Sequence, residues 1–111
     1  MAGVRLDKPW RALNAENVAQ LAGELGVYHL GDAAGRVTRI GYAGGRSLFG
    51  LRGELQAALA AGEAAQFRTE VTAQYLSRYE ELLMVHKADF GELPAGNGAD
   101  AGRRLGRLSP G

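Results

Sequence analysis

Two strand-like runs joined by a tight turn constrain the fold of this chain more than any other feature of its sequence. The runs cover residues 27–30 and 37–43, and the turn residues 32–35 separate them. Gly35 ends the turn, where glycine supplies the positive φ that such connections often need. The pattern therefore predicts a β-hairpin with antiparallel strands.

Helical periodicity flanks this hairpin on both sides. Apolar residues recur at helical spacing before it, which predicts a helix over 15–24 with Asn14 as its N-cap. Two more helices are predicted after the hairpin, over about 48–61 and about 72–89. Alternating apolar and charged residues at 67–71 predict one further strand between those two helices.

The predicted order is helix, strand, strand, helix, strand, helix, which belongs to the α+β class. We expect a three-stranded antiparallel sheet flanked by helices, with an extra N-terminal helix. Residues 1–13 are predicted to form an N-terminal arm anchored by Trp10, and residues 14–92 a single domain. Glycine, proline, alanine and arginine replace periodic apolar residues in 93–111, which predicts a flexible tail.

Composition narrows the kind of protein. The chain has 111 residues, which suits one domain, and no cysteine, which excludes disulfides and thiolate-bound metals. It shows neither a secretory signal pattern nor the run of about 20 apolar residues that a membrane span needs. These features predict a soluble, cytoplasmic protein with no membrane partner.

Basic residues are unevenly placed, although the formal net charge is only +1. Four arginines and no acid lie between Asp32 and Glu54, and a local positive surface of this kind attracts phosphates or carboxylates. The four are Arg36, Arg39, Arg46 and Arg52. The alternative is that they are scattered over a solvated surface, and the sequence supports both interpretations equally.

A series of short motifs follows the hairpin strands and the two helices after them. In chain order the motifs are Gly26-Val27-Tyr28, Ile40-Gly41, Arg52 and Glu80. In this order and spacing, residues 26–97 resemble the GIY-YIG nuclease domain, an α+β fold that cleaves nucleic-acid phosphodiesters. Arg39 stands where that family has a second tyrosine. The resemblance implies a divergent, metal-dependent phosphodiesterase that acts on nucleic acid.

The resemblance implies a catalytic role for three residues. Tyr28 would help to deprotonate the attacking water, for which a phenol with a pKa of about 10 needs a nearby cation or a metal-bound water. Arg52 would bind two oxygens of the scissile phosphate through its guanidinium fork. Glu80 would bind Mg²⁺, the implied cofactor, which prefers oxygen ligands.

Four further residues are candidates for ligand binding. Arg39 and Arg46 would grip the phosphate backbone, and Arg46 lies in a glycine loop that enters a helix predicted to be capped by Ser47. Tyr42 is an aromatic residue on which a nucleobase can stack. Asn97 matches the asparagine that often closes the domain of the resembled family.

Ordinary structural explanations stand beside these roles. Tyr28 could be a strand residue with its ring in the core and its hydroxyl at the edge. Glu80 could be a helix-surface carboxylate paired with Lys87 or Arg78.

Two other functions follow as alternatives. One is a non-catalytic module that binds nucleic acid or a protein partner; the other is a small-molecule enzyme or binder that reuses the cleft. A homodimer is open for any of these functions.

Overall fold

A four-stranded antiparallel sheet organises the part of the chain that the structure describes, residues 4–100. In this computed structural model the strands are β1 (Arg11–Ala12), β2 (Gly26–Gly31), β3 (Val37–Ala43) and β4 (Gln66–Val71). They lie in the order β1-β4-β2-β3, and every neighbouring pair is antiparallel. The predicted α+β class and antiparallel hairpin are confirmed, but the prediction of three strands is wrong.

The additional strand comes from the segment predicted to be an arm. Arg11 and Ala12 pair with β4 at the sheet edge. Trp10 anchors the segment, because its ring packs on Gly31, where a Cβ would lie 2.6 Å from the Trp10 ring. A strand of two residues is too short to show the period of two by which strands are recognised in a sequence.

Three α-helices accompany the sheet within the described range. They are α1 (Ala15–Ala19), α2 (Gly50–Ala61) and α3 (Tyr75–Phe90), and a kinked 3₁₀ segment (Ala95–Asp100) follows them. Asn14 caps α1 as predicted, since its side chain accepts a hydrogen bond from Asn17 N–H. The predicted cap of α2 is wrong, because its N-cap is Phe49, which makes no side-chain capping bond.

Helices α2 and α3 cover opposite faces of the sheet. Tyr28 shares a buried cluster with Leu55 of α2, whereas Val27 and Ile40 share another with Leu83 of α3. Side chains of successive strand residues point to opposite faces. The sheet therefore separates the Tyr28 ring from α3.

Segments outside the predicted 14–92 domain also enter the core. Leu6 and Asn97 are each 3% exposed. Residues 1–3 of the predicted arm and 101–111 of the predicted tail lie outside the described residues. Among the helices that are described, none combines the length and the apolar character needed to cross a membrane.

Candidate functional site

A cleft of about 970 Å³ opens at the end of the sheet where β3 leads into α2. The first turns of α2 and α3 border it. We call it the loop-end cleft, and the lining residues that matter below are Tyr42, Arg46, Ser47, Glu54 and Tyr75. It thus brings together two of the predicted ligand-binding residues, Tyr42 and Arg46.

Aromatic rings form one wall of this cleft. The Tyr42 ring stacks on Tyr75 with 5.7 Å between centroids and meets Tyr79 edge-on at 4.9 Å. The Tyr75 hydroxyl accepts a hydrogen bond from Gly45 N–H at 3.1 Å. Gly44 has no room for a side chain, since a Cβ would lie 2.6 Å from Tyr75. These contacts fix the loop yet leave Tyr42 37% exposed, so part of its surface can meet a ligand.

Glu54 connects the cleft with the buried phenol of Tyr28. Ser47 Oγ accepts from Gly44 N–H at 3.0 Å and donates to Glu54 Oε2 at 3.1 Å. Tyr28 is only 2% exposed. Burial raises the pKa of its phenol to about 12, against the opposing effect of Arg39 and with a further rise from Glu54. A phenol that keeps its proton so firmly does not suit a general base at neutral pH.

The predicted phosphate-binding arginines differ in what they contact. Arg39 forms an ion pair with Glu63 at 2.8 Å, and Arg52 Nη1 donates to the Leu21 carbonyl at 3.4 Å. Arg46 is exposed and makes no hydrogen bond or ion pair within residues 4–100. Arg46 is therefore the cleft's free cation in the described part of the chain.

Glu80 lies on the exposed surface of α3, the helix on the sheet face opposite Tyr28. The alternative partner suggested for it, Arg78, pairs with Glu70 at 2.9 Å and Glu81 at 2.6 Å. No cluster of three or more His, Asp or Glu residues suited to a metal ion occurs between residues 4 and 100. The Mg²⁺ site that the resemblance implied, with Glu80 as its one carboxylate ligand, stays a prediction.

Asn97 is buried against the edge of the sheet instead of lining the cleft. Its Oδ1 accepts from Ile40 N–H at 2.7 Å, and its Nδ2 donates to the Ile40 carbonyl at 2.9 Å. Its amide thus acts as a one-residue partner for the outer edge of β3. The structure places this predicted ligand-binding residue in a structural role.

A comparison with known families adds one finding. The sequence profile of a family described as Domain of unknown function (DUF7508) matches residues 4–89. The chain belongs to this family. Neither the curated proteins nor the solved structures gave a match.

Exposed hydrophobic side chains are concentrated at the cleft end of the DUF7508 domain. Eight large ones are exposed within residues 4–100, and six of them form what we call the sheet-end surface. This surface comprises Leu25, Tyr42, Leu48, Phe49, Val71 and Leu76. Strand pairing places Leu25, Tyr42 and Val71 at this end, because Gly26 pairs with both Ala43 and Val71, although Tyr42 and Val71 point to opposite faces of the sheet. Leu48 and Leu76 line the cleft with Tyr42, and Phe49 follows Leu48.

Sequence reasoning missed three contributors to this end of the DUF7508 domain. Tyr75 and Glu54 were not singled out, although Tyr75 stands one helical turn before Tyr79 and could have been read as its stacking neighbour. Leu76 follows the helical spacing of the apolar residues in α3, but it lies in the first turn of that helix and is 49% exposed.

Proposed function

We propose that this DUF7508 domain is a non-catalytic interaction module of GIY-YIG-like topology that pairs with a second copy of itself through the sheet-end surface. The observation that carries the proposal is the concentration of six exposed hydrophobic side chains at one end of the sheet. Contacts between chains bury exposed apolar side chains of this kind at their centre.

Unpaired charges beside this surface favour a second copy over an unrelated partner. Arg46 and Glu24 flank Leu48 and Phe49, and neither charged side chain has an ion-pair partner in the described residues. In the proposed dimer, Arg46 of one protomer pairs with Glu24 of its partner. The twofold axis repeats this contact, so Glu24 of the first protomer pairs with Arg46 of the partner. A surface with one free cation and one free anion complements itself.

The placement of the predicted catalytic residues supports binding over hydrolysis. Tyr28 is a buried phenol, Arg52 is bonded to a backbone carbonyl, and Glu80 lies on the helix across the sheet. Ion pairs to Glu63 and Asp32 also neutralise Arg39 and Arg36, which reduces the positive surface that nucleic acid would need.

Replacing Leu48 with glutamate should weaken self-association by about 30-fold or more, since a charge at the centre of an interface costs about 2 kcal/mol or more. Sedimentation equilibrium over a range of concentrations measures this dissociation constant. Phe90→Glu is the matched control, because Phe90 is 68% exposed but lies at the other end of α3. Equal weakening by both changes, or a wild-type protein that stays monomeric, would contradict the proposal.

A charge exchange tests the symmetric pairing separately. Arg46→Glu and Glu24→Arg should each weaken the dimer, because each places like charges opposite one another. The double variant Arg46→Glu with Glu24→Arg should recover most of the lost affinity. Additive losses in the double variant would rule out this pairing.

Hydrolysis is tested on the same preparations. We expect no metal-dependent cleavage of plasmid DNA, single-stranded DNA or RNA with Mg²⁺ or Mn²⁺ relative to EDTA. Cleavage that disappears in both Arg52→Ala and Glu80→Ala would overturn the non-catalytic proposal and support the phosphodiesterase.

A further inference from the structure

A second concave surface lies on the α3 face, far from the sheet-end surface. This turn-side groove lies between the hairpin turn and the C-terminal half of α3. Its volume is about 740 Å³, inside the range of about 300–1,000 Å³ typical of small-molecule pockets. Its apolar lining includes Val37, Leu82, Val85, Phe90 and Leu93. Such a lining suits the hydrocarbon part of a ligand.

His29 lines this groove, and the identity of its neighbour fixes its tautomer. Its Nδ1 lies 3.1 Å from Nε of Arg68. A guanidinium nitrogen only donates, so Nδ1 accepts, and a neutral His29 carries its proton on Nε2. Burial lowers the pKa of His29 to about 3, and Arg68 adds to that effect, so the ring is neutral at physiological pH.

The Nε2–H group of His29 has no acceptor among residues 4–100. Every fully enclosed side-chain nitrogen or oxygen in that range has a partner, so Nε2 must reach the surface of the groove. His29 is nevertheless only 7% exposed. This side chain therefore offers one hydrogen-bond donor to a ligand in the groove.

Arg68 places a positive charge beside that donor. Its guanidinium lies 4.1 Å above the Trp10 ring, and Nη1 donates to the Lys8 carbonyl at 3.2 Å. It forms no ion pair in the described part of the chain, and its Nη2 makes no hydrogen bond there. Burial lowers the pKa of Arg68. The stacking and the two hydrogen bonds therefore fix a cation that makes no ion pair among the described residues.

Other arginines around the groove do not share this property. Arg5 pairs with Asp89 at 2.7 Å, and Arg36 pairs with Asp32 at 2.9 Å. Arg68 is therefore the arginine of this groove whose positive charge a ligand can neutralise.

We propose that the turn-side groove binds a small monocarboxylate with an apolar body. The carboxylate accepts hydrogen bonds from His29 Nε2–H and Arg68 Nη2, and the apolar body packs on Val85 and Phe90. Carboxylate is the anion that a guanidinium and a neighbouring N–H donor bind through two oxygens. This site is independent of the sheet-end surface and of the proposed dimer.

The acidic groups around the groove limit the ligand to a single negative charge. Four carboxylates line it, namely Asp7, Asp32, Asp89 and Glu92, and the charge of Asp7 partly offsets the lowering of the pKa of Arg68 by burial. A doubly charged phosphate would meet more repulsion from these groups than a monocarboxylate does.

Three probes test the two halves of this ligand. Sodium octanoate has both the carboxylate and the apolar body, 1-octanol lacks the charge, and sodium acetate lacks the body. We expect saturable ¹H–¹⁵N shifts at groove residues with octanoate, with a Kd of about 0.1–1 mM for a ligand of this size. Octanol and acetate should each bind at least about tenfold more weakly.

Two variants and one control localise the binding. Arg68→Gln should weaken octanoate binding by at least about tenfold, whereas Arg36→Gln, which removes an ion-paired arginine of the same groove, should leave it unchanged. Val85→Trp fills the apolar part without touching Arg68 and should abolish binding, so the test holds even if Arg68→Gln fails to fold.

Three results would overturn the proposal. The first is the absence of saturable shifts with octanoate. The second is equal affinity for octanol or acetate. The third is octanoate binding that survives Val85→Trp in a variant whose spectrum shows a native fold.

Discussion

Replacing Arg78 with methionine is expected to lower the free energy of unfolding by about 3 kcal/mol, which is the lower end of the cost of breaking a buried ion pair. Arg78 is 8% exposed and donates twice to Glu70, at 2.9 Å each. It also donates to Glu81 at 2.6 Å and to the Val4 carbonyl at 2.7 Å. Methionine keeps the apolar stem but leaves the Glu70 carboxylate without its counter-ion.

Urea unfolding measures this loss, which should appear as a lower midpoint with an unchanged slope. Arg5→Met is the matched control, because Arg5 also binds a carboxylate, Asp89, but at an exposed site. Solvent screens that pair, so the control should unfold close to the wild-type midpoint. Equal losses in both variants would show that burial of Arg78 adds nothing.

Asn97→Ala is expected to cost about 2–4 kcal/mol, since it leaves two backbone groups without partners at about 1–3 kcal/mol each, less what water recovers. The side chain bonds to both Ile40 N–H and Ile40 C=O and is 3% exposed. Urea unfolding gives the size of the loss. Hydrogen exchange gives its location, because the Ile40 amide should lose its protection.

Asn97→Asp separates the two bonds. Aspartate keeps an acceptor for Ile40 N–H but sets a carboxylate oxygen against the Ile40 carbonyl. The Ile40 amide should then stay more protected than in Asn97→Ala, although the protein remains destabilised. A wild-type rate of Ile40 exchange in Asn97→Ala would contradict the edge-pairing role.

The parts of the fold predicted correctly are those with a local signal. The hairpin was identified from its turn glycine, and Gly35 does adopt a positive φ of 88°. The buried stripe of α2, which includes Leu51 and Leu55, follows helical spacing. The cap at Asn14 depends on residues only three apart.

The parts that were missed depend on contacts between distant residues. Strand β1 exists because Arg11 and Ala12 pair with β4, and a run of two residues carries no sequence pattern that predicts this pairing. The helix predicted to reach residue 24 ends at Ala19. Asn97 was assigned to ligand binding from the resemblance, and its partner Ile40, 57 positions away, gave no local signal of a structural role.

The same distinction between local sequence signals and contacts of distant residues holds for the candidate site. A positive patch was one of two equally supported interpretations of four arginines that have no acid between them. Glu63 neutralises Arg39 from beyond that segment, which local charge counting does not reveal. The donor pair of His29 and Arg68 also joins neighbouring strands, and only the strand register brings the two side chains together.

The most direct test of the account is an isotope-filtered NOE spectrum of a mixed sample of labelled and unlabelled protein. We predict contacts between protomers from Leu48 and Phe49 to apolar side chains of the sheet-end surface, and none from Phe90. Contacts that come from Phe90, or a concentrated sample with no contacts between protomers, would contradict self-association through this end of the sheet.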